Sequence, residues 1–259
     1  MIWNLNPIAF SFMGLDVRWY GISYILGFFI TLFLGWRIQN KVLKDKSLDK
    51  KSWETLCFWI FLFGVIGGRI GHFLFYSPHI FLDNPTEIIK IWQGGMSIHG
   101  GIIGAIIFAF FWSKKNKIPL LTLFDALVIP LSLALCLGRI SNFINGELVG
   151  RVTNQEWGII FPHIDNLLRH PSQLYEAGKN LIMALILTIF FFKKYNNKTG
   201  FLTAMFFFLY GIFRFSIEFF REPHGMVGIL TTGQFLCVIM IIISFLLAWS
   251  QKFWHNVNN

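Results

Sequence analysis

The stretch IPLLTLFDALVIPLSLALCLG, residues 118–138, decides the fold. It matches the length of about 20 mostly apolar residues that a bilayer-spanning helix needs, and Asp125 is its one charged side chain. Six further stretches read the same way, at roughly 19–36, 55–76, 96–112, 174–192, 199–220 and 226–250. The third is short, and the fifth carries Glu176 and Lys179 at its outer end. No Lys or Arg precedes Arg18, so the first stretch lacks the positive leader of a cleaved signal peptide and is read as a span.

Composition agrees. The 259 residues are 55% hydrophobic and 14% charged, against about 25% charged in soluble domains. Mean hydropathy is +0.59. A soluble globular protein is excluded as the default. So is a disordered chain, since Phe alone contributes 31 residues. The expected architecture is all-α: one integral membrane domain over 1–259, with seven transmembrane helices. A small extracytoplasmic cap over 139–173 lies between spans four and five, too short for a core of its own.

The net charge of +9 is read as an orientation signal, not as a nucleic-acid footprint. Arg37, Lys41, Lys44, Lys46, Lys50, Lys51, Lys114, Lys115, Lys117, Lys193, Lys194, Lys198 and Lys252 fall on one side, 13 of the 22 basic residues. Positive-inside places that side in the cytoplasm, with the N-terminus outside and the C-terminus inside. An odd number of spans requires opposite ends. Cys57, Cys136 and Cys237 are odd in number and far apart. They read as small buried hydrophobes, with neither a disulfide nor a metal framework.

Ionisable groups in hydrocarbon are costly and mark function. The candidates are Arg69, His72, His99, Asp125, Arg139, Glu147, Arg214 and Glu218. At about 1.5 Å per residue, all but Asp125 gather in the outer half of the bilayer, on four different spans. Two readings fit: a polar cavity open to the outer leaflet, or a structural ion-pair cluster. Tyr210, Arg214 and Glu218 recur at four-residue spacing, with Arg221 three further on, so they share a helix face. An arginine with part of its fork free suits phosphate; an intrahelical salt bridge is the competing reading. His99, beside Gly100 and Gly101, is the candidate base because imidazole titrates near neutrality. Gly64, Gly67, Gly68 and Gly71 in one span and Gly100, Gly101 and Gly104 in the next are spaced to let helices approach. No serine-hydrolase elbow, phosphate loop or zinc-protease motif occurs, and no cofactor or metal is called for.

The segment Gly138-Arg139-Ile140-Ser141-Asn142-Phe143-Ile144-Asn145-Gly146-Glu147-Leu148-Val149-Gly150-Arg151 resembles the signature of prolipoprotein diacylglyceryl transferases. The resemblance extends through Arg18-Trp19-Tyr20-Gly21, Gly67-Gly68-Arg69-Ile70-Gly71 and Gly94-Gly95-Met96-Ser97-Ile98-His99-Gly100-Gly101. It continues through His170-Pro171-Ser172-Gln173-Leu174-Tyr175-Glu176, Tyr210-Gly211-Ile212-Phe213-Arg214 and Glu218-Phe219-Phe220-Arg221-Glu222-Pro223. Ser141 departs from it, standing where the family pattern usually has Gly or Ala.

The resemblance implies a bacterial inner-membrane enzyme. It moves a diacylglyceryl group from phosphatidylglycerol to the lipobox cysteine of a prolipoprotein, giving a thioether and glycerol phosphate. His99, Arg139 and Arg214 are the expected catalytic residues. Arg139, Arg214, Tyr20, Asn142 and Glu147 are the expected lipid-binding set. Arg69, Tyr210, Glu218, Arg221, Asn145 and Gly150 are expected to support them. Either His99 or an arginine-linked network takes the thiol proton. The rival reading is a transporter or lipid-handling protein with an outer-leaflet anion site; a receptor-like seven-span binding protein is a third.

Overall fold

The computed structural model describes residues 1–43, 48–90, 95–193, 198–223 and 225–251. Lys44, Lys46, Gly94, Lys194, Lys252 and His255, the first five of which enter the readings above, lie outside the described residues. Helices α1 (Trp19–Val42), α2 (Lys50–Phe75), α3 (Pro78–Asp83), α4 (Ile98–Lys115), α5 (Leu120–Ile144), α6 (Ser172–Phe192), α7 (Phe201–Glu218) and α8 (Thr232–Ser250) carry the fold. A 3-10 helix covers Pro85–Ile89. Among the described residues, α1, α2, α5, α6, α7 and α8 are long and apolar enough to cross a membrane. The expected third span is α4, 18 residues ending in Lys114 and Lys115; it is not among those six. Large side chains such as Phe33, Phe111, Phe192 and Leu246 are exposed, as suits helices solvated by lipid. The chain is a multi-pass membrane protein.

Three small antiparallel hairpins accompany the helices: β1 (Ile8–Phe12) with β2 (Leu15–Arg18), β3 (Ile159–Ile160) with β4 (Leu168–Arg169), and β5 (Met226–Val227) with β6 (Leu230–Thr231). No strand was expected at any of the three, because the apolar periodicity of so short a segment is weak; the third takes up the start of the stretch read as a span over 226–250, and the helix begins only at Thr232.

The described chain forms two compact units, Leu43–Leu123 and the remainder. In the first, α2 packs against α4 through glycine. A Cβ on Gly71 would stand 2.7 Å from Gly100 Cα. One on Gly100 would run into the Gly67 carbonyl, and one on Gly104 into that of Phe63. The glycine spacing therefore serves backbone contact. Ser97 caps α4 by accepting from Gly100 N at 3.2 Å, and its own N–H donates to Gly68 O at 2.9 Å. Arg69, almost fully buried, spends its fork on backbone carbonyls. Nε donates to Ile88 O (3.1 Å), Nη1 to Gly95 O (3.1 Å), and Nη2 to Glu87 O (2.6 Å) and Lys90 O (2.9 Å).

In the second unit α7 packs against α6 and α8. Asp125 fixes the start of α7: its carboxylate accepts from Gly200 N (2.6 Å), Thr203 N (2.7 Å) and Thr203 Oγ1 (2.6 Å). Gly200, at φ +82°, occupies the left-handed conformation that favours glycine there. Thr231 and Gln234 close a capping box on α8. Helix α5 runs past Arg139 to Ile144, so the non-helical part of the expected cap is 145–171. That segment has a core because others complete it. Trp3 and Phe143 pack on Val149, Ile159 and Phe161. Trp3 N donates to Ile160 O at 2.8 Å, and Trp3 Nε1 to Phe143 O at 2.8 Å.

Gly100→Ala should lower stability by about 1–3 kcal/mol, the usual cost of overpacking. Gly178→Ala, whose added Cβ meets nothing within 4 Å, should leave stability unchanged or raise it by up to about 1 kcal/mol. Thermal unfolding in detergent checks the pair; equal effects would contradict the backbone contact between α2 and α4.

Candidate functional site

Four cations converge on one carboxylate. Glu176, in the first turns of α6, has no exposed surface. Its Oε1 lies 3.0 Å from Arg214 Nε and 3.7 Å from Arg221 Nη1. Its Oε2 lies 3.4 Å from Lys179 Nζ and 3.7 Å from Arg139 Nε. Arg139 comes from the end of α5, Arg214 from the last turns of α7, and Arg221 from the segment after it. One side chain thus joins three helices. Arg214 Nη1 also pairs with Glu218, four residues on in the same helix. Glu218 Oε1 accepts from Thr231 Oγ1 at 2.9 Å, and Gly233 leaves room for that carboxylate: a Cβ there would stand 2.5 Å from Oε1. Lys179 Nζ sits 3.4 Å from the centre of the Tyr210 ring.

Among the described residues, the carboxylates in ion pairs with Arg139, Lys179, Arg214 and Arg221 are Glu176 and Glu218, so these six side chains hold a formal charge of +2. The cations are not equally enclosed. Side-chain exposure is 23% for Arg139 and 13% for Arg214, but 5% for Arg221 and 4% for Lys179. Burying uncompensated charge is expensive, and an anion docked on the two more open arginines would offset it. Outside the helix, burial and neighbouring Arg214 pull the Arg221 guanidinium below its ordinary value.

A polar chain leads away from Arg139. Arg139 Nη1 donates to Asn142 Oδ1 at 3.4 Å, and Asn142 Nδ2 to Glu147 Oε2 at 3.2 Å. Asn145 Nδ2 donates to Glu147 Oε1 at 3.2 Å. Glu147 is turned back toward α5 by two residues with left-handed backbone, Gly146 at φ +69° and Leu148 at φ +55°. For Leu148 that conformation costs roughly 1–2 kcal/mol. Gln173 Nε2 and Ser172 Oγ hold the turn through Glu147 O (2.5 Å) and Leu148 O (3.0 Å). A Cβ on Gly150 would stand 2.5 Å from both His170 O and Phe220 O, so only glycine lets these strands meet. Arg169 closes the cap on Asp165 at 2.6 Å and Glu222 at 3.3 Å. It holds the Asp165 carboxyl below the usual carboxylate range.

Arg139, Asn142, Asn145, Glu147, Tyr210, Arg214, Glu218 and Arg221 therefore belong to one connected group, with Gly150 behind it. Tyr20, at the start of α1, accepts from Tyr24 OH at 3.4 Å. Neighbouring Trp19 is tied to the signature, because Ser141 Oγ donates to Trp19 O at 3.3 Å; the departure at position 141 is used as a tether. His99 is exposed in the first turn of α4, and Arg69 is committed to carbonyls; both belong to the other unit. The readings from sequence missed Glu176 and Lys179 as site residues, although both interrupt an apolar span as visibly as Arg214 does.

Several apolar helices, with a largely buried cluster of cations and carboxylates joined to the polar residues of the cap, define a multi-pass membrane protein. The prolipoprotein diacylglyceryl transferase model matches residues 7–250. The phosphatidylglycerol–prolipoprotein diacylglyceryl transferase of Rickettsia conorii (strain ATCC VR-613 / Malish 7) is 43% identical over 257 residues, covering 96% of this chain and 98% of that protein. The Rickettsia africae (strain ESF-5) protein of that name is 43% identical over 248 residues, 93% of this chain and 94% of the relative. The one from Ehrlichia canis (strain Jake) is 41% identical over 249 residues, again 93% and 94%. The chain belongs to the prolipoprotein diacylglyceryl transferase family.

Glu218→Ala should destabilise the protein by about 3–5 kcal/mol, because it removes one of the two carboxylates from a largely buried cluster and leaves Arg214 Nη1 without its counter-charge. Glu222→Ala, on the exposed ion pair to Arg169, should cost about 0–1 kcal/mol. Denaturation of the purified variants in detergent checks this; comparable losses would contradict the burial of the pair.

Proposed function

We propose that the chain transfers the diacylglyceryl group of phosphatidylglycerol to the thiol of the lipobox cysteine of prolipoproteins, the first step of lipoprotein maturation. Family membership supports the reaction. The cluster's net charge is the structural observation that carries it, since a leaving phosphate is what such a site would receive.

The bonds balance simply. The substrate thiolate attacks the glyceryl carbon, a carbon–sulfur bond forms, and the carbon–oxygen bond to phosphate breaks. The oxygen keeps the electron pair and departs as glycerol phosphate. Arg139 and Arg214, the more open cations, receive the charge that develops on that oxygen. Thiolate, not thiol, is the nucleophile, and His99 takes the proton as general base. Asn142 and Glu147 set the plane of Arg139, Tyr20 contacts the headgroup, and Glu218 holds Arg214 with Arg221 behind it. Asn145 and Gly150 keep the turn that carries Glu147, and Tyr210 shields the Lys179 side. Arg69 supports the loop preceding α4.

We read α4 as a span too, the third in chain order, which brings the number to seven and gives an outside N-terminus and a cytoplasmic C-terminus as the basic loops suggest. The protein then lies in the bacterial inner membrane as one integral domain. Its cap over 139–173 and its site face the outer leaflet, where exported prolipoprotein and lipid phosphate meet. Transport is the less favoured reading: Asp125, the polar group expected toward the cytoplasmic half, is committed to the start of α7.

The test is direct. Purified protein given phosphatidylglycerol and a lipobox peptide should yield a thioether adduct by mass and free glycerol phosphate, and a Cys→Ser peptide should yield neither. Arg139→Ala should lose roughly 2.7–4 kcal/mol of transition-state stabilisation, as for a lost oxyanion donor. His99→Ala should slow transfer by about 10²–10⁴-fold. Near-normal rates in folded variants would remove those roles. No adduct from folded, lipid-binding wild type would remove the transferase reading.

A further inference from the structure

Glu176 has no role in the transfer chemistry set out above, yet every cation of the site stands beside it. An ordinary buried ion pair is one carboxylate matched to one fork, with parallel hydrogen bonds. Glu176 is arranged differently. Its two oxygens are shared among four cations at 3.0–3.7 Å. Each arginine approaches through a single nitrogen, Arg214 Nε, Arg221 Nη1 and Arg139 Nε, so the described ion pairs include no bidentate capture of Glu176. The guanidinium groups from α5, α7 and the following segment are gathered around it at 3.7, 3.0 and 3.7 Å. Lys179 shares the helix and the enclosure, with its Nζ 3.4 Å from Oε2.

We infer that Glu176 is a positioning residue for the transfer reaction. It sets the spacing of Arg139, Arg214 and Arg221 around the phosphate, while Lys179 offsets its charge so that the cluster stays at +2. The inference rests on the transferase reading above. Position and charge are separable, because Glu176→Gln keeps shape and raises the cluster to +3, Lys179→Met lowers it to +1, and the double variant returns it to +2 with the keystone carboxylate gone.

The experiment is steady-state transfer by the full-length wild type and the three variants, with phosphatidylglycerol varied at saturating lipobox peptide. Glu176→Gln should lower kcat by about a hundredfold, the cost of an ångström-scale misplacement, with KM for the lipid unchanged or lower. Lys179→Met should raise that KM with a smaller effect on kcat. The double variant should recover the wild-type KM and keep the low kcat. Wild-type kcat in Glu176→Gln, or recovery of kcat in the double variant, would overturn the positioning role. A parallel loss of kcat and lipid affinity in both would also overturn it, by reducing Glu176 to general structural support. If Glu176→Gln does not fold, the double variant alone decides by its kcat. Absence of transfer by the wild type would instead remove the underlying reading.

Discussion

Charge buried in a membrane protein must be matched, and in this chain it is deliberately left unmatched. The cluster around Glu176 gathers four cations and two carboxylates where each buried ion costs several kcal/mol. Much of the surrounding architecture can be traced to keeping that arrangement in place. Helix α5 is extended through Arg139 so that Asn142 lies one turn above it. The turn at Gly146–Leu148 accepts strain to return Glu147 to Asn142. Thr231, at the cap of α8, also bonds Glu218. The capping box and the ion cluster are thus one network, and a change in α8 reaches Arg214 through two side chains.

The unit containing α2 and α4 answers a different constraint. Without water to drive helices together in lipid, association relies on close van der Waals packing and interhelical hydrogen bonds. Gly67, Gly71, Gly100 and Gly104 supply the approach, and Ser97 N adds a hydrogen bond to Gly68 O. Arg69 then uses a charged fork to satisfy four carbonyls of the loop that leads to α4. His99 follows immediately after that loop. Its placement depends on the glycine seam and on Arg69, which explains why residues without chemistry occur in the motifs that surround it.

Apolar length was legible in the sequence because hydrocarbon admits few alternatives to a helix; six of the seven expected spans are long and apolar enough to cross. The spacing of Tyr210, Arg214 and Glu218 also read directly, because one helix supplies its own geometry. What was not legible required partners distant in the chain. Asp125 looked like a lone charge, but its partners lie about 75 residues on, at Gly200 and Thr203. Arg69 looked like a site cation, and only the folded loop reveals carbonyls filling its fork. Glu176 was passed over because it sat at the edge of a span, where a carboxylate passes as an interfacial residue. That Trp3, some 140 residues earlier in the chain, packs on Val149, Ile159 and Phe161 of the cap was equally invisible.

In the function proposed, the uncompensated cluster selects an anionic lipid through Arg139 and Arg214. Native mass spectrometry of the detergent-purified protein, with phosphatidylglycerol and phosphatidylcholine of identical chains in competition, tests it most directly. The wild type should retain phosphatidylglycerol preferentially, and that preference should be lost when Arg139 and Arg214 are both replaced by Ala. Equal retention of the two lipids by the wild type, or an undiminished preference in the folded double variant, would contradict it.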